Sequence, residues 1–181
     1  MILSDSELVE MLREPRTRRE GFAVLVKQYS EKLYWKVRRI VLSHEDANDV
    51  LQNVFIKVWN NLQNFQGKSS LSTWLYRIAI NESLDFLRKQ KMADMVSSDE
   101  DLSVSSRLMS DEYFDGDEIQ ARLQEAVARL PEVQRTVFNL KYFEEMKYSE
   151  ISQILNTSEG ALKASYHLAV KKITEYLHSF D

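Results

Sequence analysis

The chain has 181 residues, with no cysteine, four glycines, two prolines and three histidines, and its 24 basic and 28 acidic side chains leave a formal charge of −4. The lack of cysteine excludes a disulfide framework, a thiolate metal site and a cysteine nucleophile. Three scattered histidines argue against zinc, and the few glycines and prolines argue against an all-β fold and for long helices. No run approaches the roughly 18 apolar residues of a membrane span, and Met1–Asp5 has no signal-peptide pattern, so a soluble, cytoplasmic protein is expected.

Ser4 and Glu7 have capping-box spacing ahead of Leu8, Val9, Met11 and Leu12, which predicts a short first helix. Thr17 and Glu20 repeat the spacing and open a long helix with an apolar stripe at Phe22, Leu25, Val26, Tyr29, Leu33, Val37, Ile40 and Val41. Ser43 and Asp46 cap a third helix whose core stripe is Ala47, Val50, Leu51, Val54, Phe55, Val58 and Leu62. Its opposite face, Asn48, Asp49, Gln52, Asn53, Lys57 and Asn60, is polar yet hardly charged, which is unusual for a purely solvated surface. After Phe65 the run Gln66-Gly67-Lys68-Ser69-Ser70 breaks the pattern, and a fourth helix is predicted from about Ser72 to Lys91. Trp74, Tyr76, Arg77 and Asn81 near its start supply the aromatic, cationic and amide groups that can hold an unstacked base, although Trp74 and Tyr76 also suit a core. Gly67-Lys68-Ser69 imitates the end of a phosphate-binding P-loop, but the earlier glycine falls at Leu62 and no strand precedes it.

Charge is unevenly placed along the chain. Residues 1–93 carry +4 and residues 119–181 balance, while residues 94–118 hold nine acids against Arg107. That stretch is rich in serine and lacks a helical stripe, so residues 94–118 are expected to be a flexible tether between two small helical domains, 1–93 and 119–181. In the second domain Ile119, Leu123, Ala126, Val127 and Leu130 mark an amphipathic helix, and Pro131 fits the first position of the next, which carries Val133, Val137, Phe138 and Leu140. A short helix over Tyr148–Leu155, the turn Asn156-Thr157-Ser158 and a last helix from Glu159 to His178 make a helix-turn-helix pattern, with Thr157 or Ser158 as the cap. Leu162, Tyr166, Ala169, Ile173 and Leu177 form its inward stripe, and Lys163, His167 and Lys171 lie on an outward face suited to phosphates and base edges. Gly160 in the first turn leaves room for a phosphate at the helix amides. Lys147 is a poor residue to cap the short helix.

Both halves together resemble a bacterial extracytoplasmic-function sigma factor of the minimal, two-domain kind. Region 2 is matched by Asp46-Ala47-Asn48-Asp49-Val50-Leu51-Gln52-Asn53-Val54-Phe55-Ile56-Lys57-Val58-Trp59, by Phe65-Gln66-Gly67-Lys68, and by Thr73-Trp74-Leu75-Tyr76-Arg77-Ile78-Ala79-Ile80-Asn81. Region 4 is matched by Leu130-Pro131-Glu132-Val133-Gln134-Arg135, by Tyr148-Ser149-Glu150-Ile151-Ser152-Gln153-Ile154-Leu155, and by Ser158-Glu159-Gly160-Ala161-Leu162-Lys163-Ala164-Ser165. The resemblance implies an all-α protein without catalytic site, metal or cofactor, which directs core RNA polymerase to promoters and is held by an anti-sigma factor. It implies that Asp49, Gln52, Asn53 and Lys57 contact the β′ clamp helices. The loop Asn64–Thr73 then takes up a flipped base of the −10 element, with Phe65, Gly67, Lys68, Ser69, Trp74, Arg77 and Asn81 as the DNA contacts. The last helix reads the −35 element as duplex, through Gly160, Lys163, Ser165, His167 and Lys171, while the rest of region 4 meets the β flap. Family recognition helices often carry several arginines, and here Ser165, Leu168 and Val170 stand in their places.

Two other classes fit parts of the sequence. An autonomous helix-turn-helix regulator would bind duplex DNA unaided and use the first domain as a sensor. A carboxylate-bridged metal bundle needs paired Glu-x-x-His motifs on separate helices, and the chain offers only Glu175-Tyr176-Leu177-His178.

Overall fold

The computed structural model describes residues 2–94 and 116–180, and within them all regular secondary structure is helical. The chain divides into two compact units, Met1–Met92 and Ala93–Asp181. Most of the acidic tether expected from composition, residues 95–115, lies outside the described residues. No described helix is long and apolar enough to cross a membrane.

In the first unit, α1 (Asp5–Arg13) is opened by the capping box its sequence announces: Ser4 Oγ accepts from Glu7 N at 3.4 Å and the Glu7 carboxylate accepts from Ser4 N at 2.7 Å. Helix α2 (Arg18–Val41) packs against α1, and Gly21 leaves room for a close approach of the two, since a methyl there would stand 2.8 Å from Met11 Cβ. The expected capping role of Thr17 is not realised. Its hydroxyl turns back to donate to Met11 O at 2.9 Å, because the last carbonyls of α1 need donors that the helix itself does not supply. Arg18 works the same corner, with Nε donating to Leu12 O at 3.0 Å. Helix α2 ends on Leu42 in the left-handed region (φ 69°), and Ser43 then caps α3 (His44–Asn61) by accepting from Asp46 N at 3.3 Å. A 3₁₀ turn (Leu62–Asn64) leads to the loop and to α4 (Leu71–Asp94), which starts where Ser70 Oγ accepts from Thr73 N at 3.1 Å. Leu8, Leu25, Leu33, Val37, Ala47, Val54 and Val58 are fully buried, so α1, α2 and α3 bring their predicted stripes to the core, and α4, for which no stripe is predicted, adds the fully buried Leu75, Ala79 and Ile80.

In the second unit, α5 (Glu118–Ala128) is capped by Asp117, whose carboxylate accepts from Gln120 N at 2.8 Å; two residues that count with the tether by charge are thus the cap and first turn of a helix. Helix α6 (Glu132–Phe138) begins directly after Pro131, which serves as its cap residue rather than its first turn, and runs on into a π-helical turn, Asn139–Phe143. Helices α7 (Tyr148–Leu155) and α8 (Glu159–His178) follow. The core gathers Ala126, Val127, Leu130, Phe138, Ala169 and Ile173, with Leu123, Tyr166 and Leu177 packed against it. Ile119 and Val133, expected on inward stripes, are 75% and 61% exposed. Each sits in the first turn of its helix, where the following turns alone reach the core. Arg135 is buried and donates from Nη1 to Ala128 O at 3.0 Å, supplying a partner to the end of α5; burial pulls its pKa below the usual arginine value.

Candidate nucleic-acid interface

The outward face of α3 is as polar as its sequence: Asp49, Gln52 and Asn53 are exposed, and Lys57 reaches across to pair with Glu82 of α4. Between the two helices lies a groove of about 340 Å³ with Val50, Ile56 and Phe86 as its apolar lining and Asn53, Lys57, Glu82, Asp85 and Lys89 as its polar lining. Ile56 is 53% exposed, so this face offers an anchor of the kind that protein partners bury. Periodicity did expose Asn53 and Lys57, but not the α4 side of the groove. The signal was present, because Glu82, Asp85, Phe86 and Lys89 recur at helical spacing.

At the other end of the unit, Gly67 takes φ +70°, a conformation that glycine adopts without strain, and this turns the exposed loop back toward α4. Phe65 precedes the turn and packs its ring on Trp74 at 5.1 Å between centroids. Trp74, Arg77 and Asn81 follow one another at i, i+3 and i+7, which sets them on one face of α4, with Trp74 half-buried and Asn81 exposed. Arg77 Nε is buried without a hydrogen-bond partner among the described residues. Tyr76 turns to the other side, where its ring carries the ammonium of the buried Lys36 at 4.1 Å, so it is a packing residue. Lys68 is exposed on the loop and Ser69 half-buried beside it.

In the second unit Asn156 (φ 52°) makes the left-handed turn between α7 and α8. Ser158, not Thr157, caps α8 by accepting from Ala161 N at 3.3 Å, while Thr157 donates to Leu155 O. Lys147 cannot cap α7, since its ammonium has no acceptor; instead the Glu150 carboxylate accepts from Lys147 N at 2.8 Å. Beyond its own stretch of helix, nothing lies within 4 Å of the place where a side chain on Gly160 would stand. Lys163, His167 and Lys171 are exposed on a common face, and Ser165 is half-buried, about 200° around the helix from Lys163. Two of these cations already have company. Lys163 Nζ and Lys141 Nζ lie over the Tyr148 ring at 5.7 and 4.8 Å, and Lys171 approaches Glu175 at 4.0 Å. Leu168 and Val170 are exposed on the same helix, apolar groups that a search for charge overlooks.

This helical pair of units has known counterparts. Residues 25–92 match the Sigma-70 region 2 family and residues 120–173 the Sigma-70 region 4 family. The ECF RNA polymerase sigma factor SigW of Bacillus subtilis is 33% identical over 157 residues, covering 82% of this chain and 84% of that protein. The RNA polymerase sigma-H factor of Pseudomonas aeruginosa is 31% identical over 182 residues, covering 96% and 93%. Among solved structures, the sigma factor RpoE in complex with the anti-sigma factor NepR from Bartonella quintana has the same fold, with a TM-score of 0.71 at 21% identity over 88% of this chain and 98% of that one. CnrH in complex with the cytosolic domain of CnrY follows at 0.68 and 19%, over 98% and 96%. With both regions matched in order and two relatives above 30% identity along most of their length, the chain belongs to the extracytoplasmic-function RNA polymerase sigma factors.

Proposed function

We propose that the two units divide the work of a promoter-specificity subunit. The α3 face, through Asp49, Gln52, Asn53 and Lys57, binds the β′ clamp helices of core RNA polymerase, with the groove beside Ile56 and Phe86 as its apolar anchor. The loop around Gly67 and the α4 face of Trp74, Arg77 and Asn81 take up a flipped base of the single-stranded −10 element, with Lys68 on the phosphate backbone. Helix α8 enters the major groove of the duplex −35 element with Lys163, His167 and Lys171, Gly160 admits a phosphate at its first turn, and the rest of the unit meets the β flap. Ser165, half-buried on the opposite side of that helix, lies away from this face.

The observation that carries this reading is the alignment of an aromatic, a guanidinium and an amide on one face of α4 behind a glycine turn. That set matches the donors and stacking surface an unpaired base requires, and it needs no catalytic group or cofactor. The protein works in the cytoplasm with its polymerase. An anti-sigma factor holds it in reserve; the similarity to the sigma factor RpoE, solved in complex with the anti-sigma factor NepR, supports this reading.

Transcription reconstituted from core polymerase, this protein and genomic promoter DNA tests the proposal. Initiation at discrete start sites that depends on the protein is expected; no initiation at any promoter of its own genome overturns it. A gel shift of duplex DNA without polymerase separates the autonomous regulator, which binds tightly alone, from the sigma subunit, which does not.

A further inference from the structure

We infer that Arg13, at the end of α1, is a phosphate contact for the DNA strand that the Gly67 loop captures. The inference rests on the −10 reading above and adds a residue outside the segment matched to region 2, which begins at residue 25. Helix α1 packs on the 3₁₀ turn that leads into the loop, and this brings its last side chain to the loop itself. A methyl group on Gly67 would stand 3.6 Å from Arg13 Nη2, so the guanidinium lies directly beside the one loop residue that has no side chain to cover it.

Its mounting is firm. Arg18, from the next helix, donates Nε to Leu12 O at 3.0 Å and Nη2 to Arg13 O at 3.4 Å, which fixes the backbone on which Arg13 stands. Arg18 is thus occupied in holding the corner, whereas Arg13 is exposed and has no carboxylate partner among the described residues, although Glu10 and Glu14 are close in sequence. An exposed, unneutralised guanidinium beside a bare glycine turn, with Lys68 next in the chain, is a fork for a phosphodiester that passes over Gly67. It positions the strand and carries no sequence information.

The experiment uses the holoenzyme and a labelled fork-junction DNA whose unpaired non-template strand carries the −10 sequence of a promoter found in the transcription assay. Affinity is measured from about 0.1 to 0.3 M salt. Arg13→Ala is expected to weaken binding about fivefold and to lower the slope of log K against log salt by about 0.7, equally on probes with altered −10 bases. Arg13→Lys, which keeps the charge, is expected to retain the slope. An unchanged slope in Arg13→Ala, a loss confined to one base sequence, or an equal loss in Arg13→Lys overturns the inference while leaving the −10 reading intact. Failure of the wild-type holoenzyme to prefer the unpaired probe over duplex overturns both.

Discussion

Replacing Trp74 with leucine separates packing from base capture. The indole touches the Phe65 ring at 5.1 Å and a 48° tilt, and such a pair contributes about 0.5–1.5 kcal/mol beyond its buried area. A small domain has roughly 5–15 kcal/mol in hand, so the first unit stays folded without this contact. Stacking of a base on an aromatic ring is worth about 1–3 kcal/mol, which corresponds to a loss of about 5- to 150-fold in promoter opening if Trp74 supports the captured base. Permanganate reactivity of unpaired thymines reads opening, and fluorescence anisotropy with core polymerase reads assembly. Opening is expected to fall within that range with assembly unchanged. A cycle with Phe65→Leu decides the route. If Trp74 acts only by propping Phe65, the second substitution adds nothing to the first. Opening within twofold of wild type in Trp74→Leu refutes the argument altogether.

Ser158→Ala removes the side-chain acceptor from the first turn of α8 and is expected to lower stability by about 1 kcal/mol, read from urea unfolding by circular dichroism; Ser158→Asp, which also caps, is expected to retain it. Ile151 is fully buried in α7, and Ile151→Ala is expected to cost about 2–5 kcal/mol, enough to unfold much of the second unit at 37 °C and, under the proposed division of labour, to abolish promoter-dependent transcription while clamp binding survives. The Glu7 carboxyl is held below its ordinary pKa by the Ser4 hydroxyl first and the Ser4 amide second. Because the folded value is the lower one, the capping contribution is complete above the unfolded pKa and is lost as pH falls through the folded pKa. Glu7→Gln is therefore expected to flatten the acid side of the thermal-midpoint curve of α1, and an unchanged curve counts against the capping box.

Helix ends that depend on neighbours three residues away were readable, as Ser4, Ser43 and Ser158 demonstrate by accepting the amides that their spacing predicts. Thr17 has equally good local credentials and behaves otherwise, because the carbonyl of Met11 competes for its hydroxyl and is brought there by the packing of two helices. Ile119 and Val133 fail for a related reason: periodicity identifies a face but not how far along the helix that face meets the core. The same limit governs the site. The outward placement of Lys163, His167 and Lys171 follows from a 3.6-residue period, and so does the polar face of α3. The groove between α3 and α4, the Lys57–Glu82 pair and the approach of Arg13 to Gly67 each join residues at least 25 positions apart. Nothing in a single helix specifies them.

The neutral balance of the second unit now has a structural counterpart. Lys141 and Lys163 both stand over one tyrosine ring, and Lys171 faces Glu175, so the cations offered to a phosphate must first leave a local partner. Leaving an exposed aromatic face costs about 0.5–1 kcal/mol, and an exposed ion pair costs no more. These are small terms, but a reader with few positive charges gains little from counterion release to offset them. Its grip on duplex DNA alone is accordingly expected to be weak. Under the proposed division of labour that weakness is useful: when polymerase holds the first unit at the promoter, the second is covalently presented to the −35 element at a raised local concentration, and two modest contacts act as one strong one. A net charge of −4 thus speaks against autonomous DNA binding, while the placement of its cations remains suited to DNA that the polymerase has already brought near.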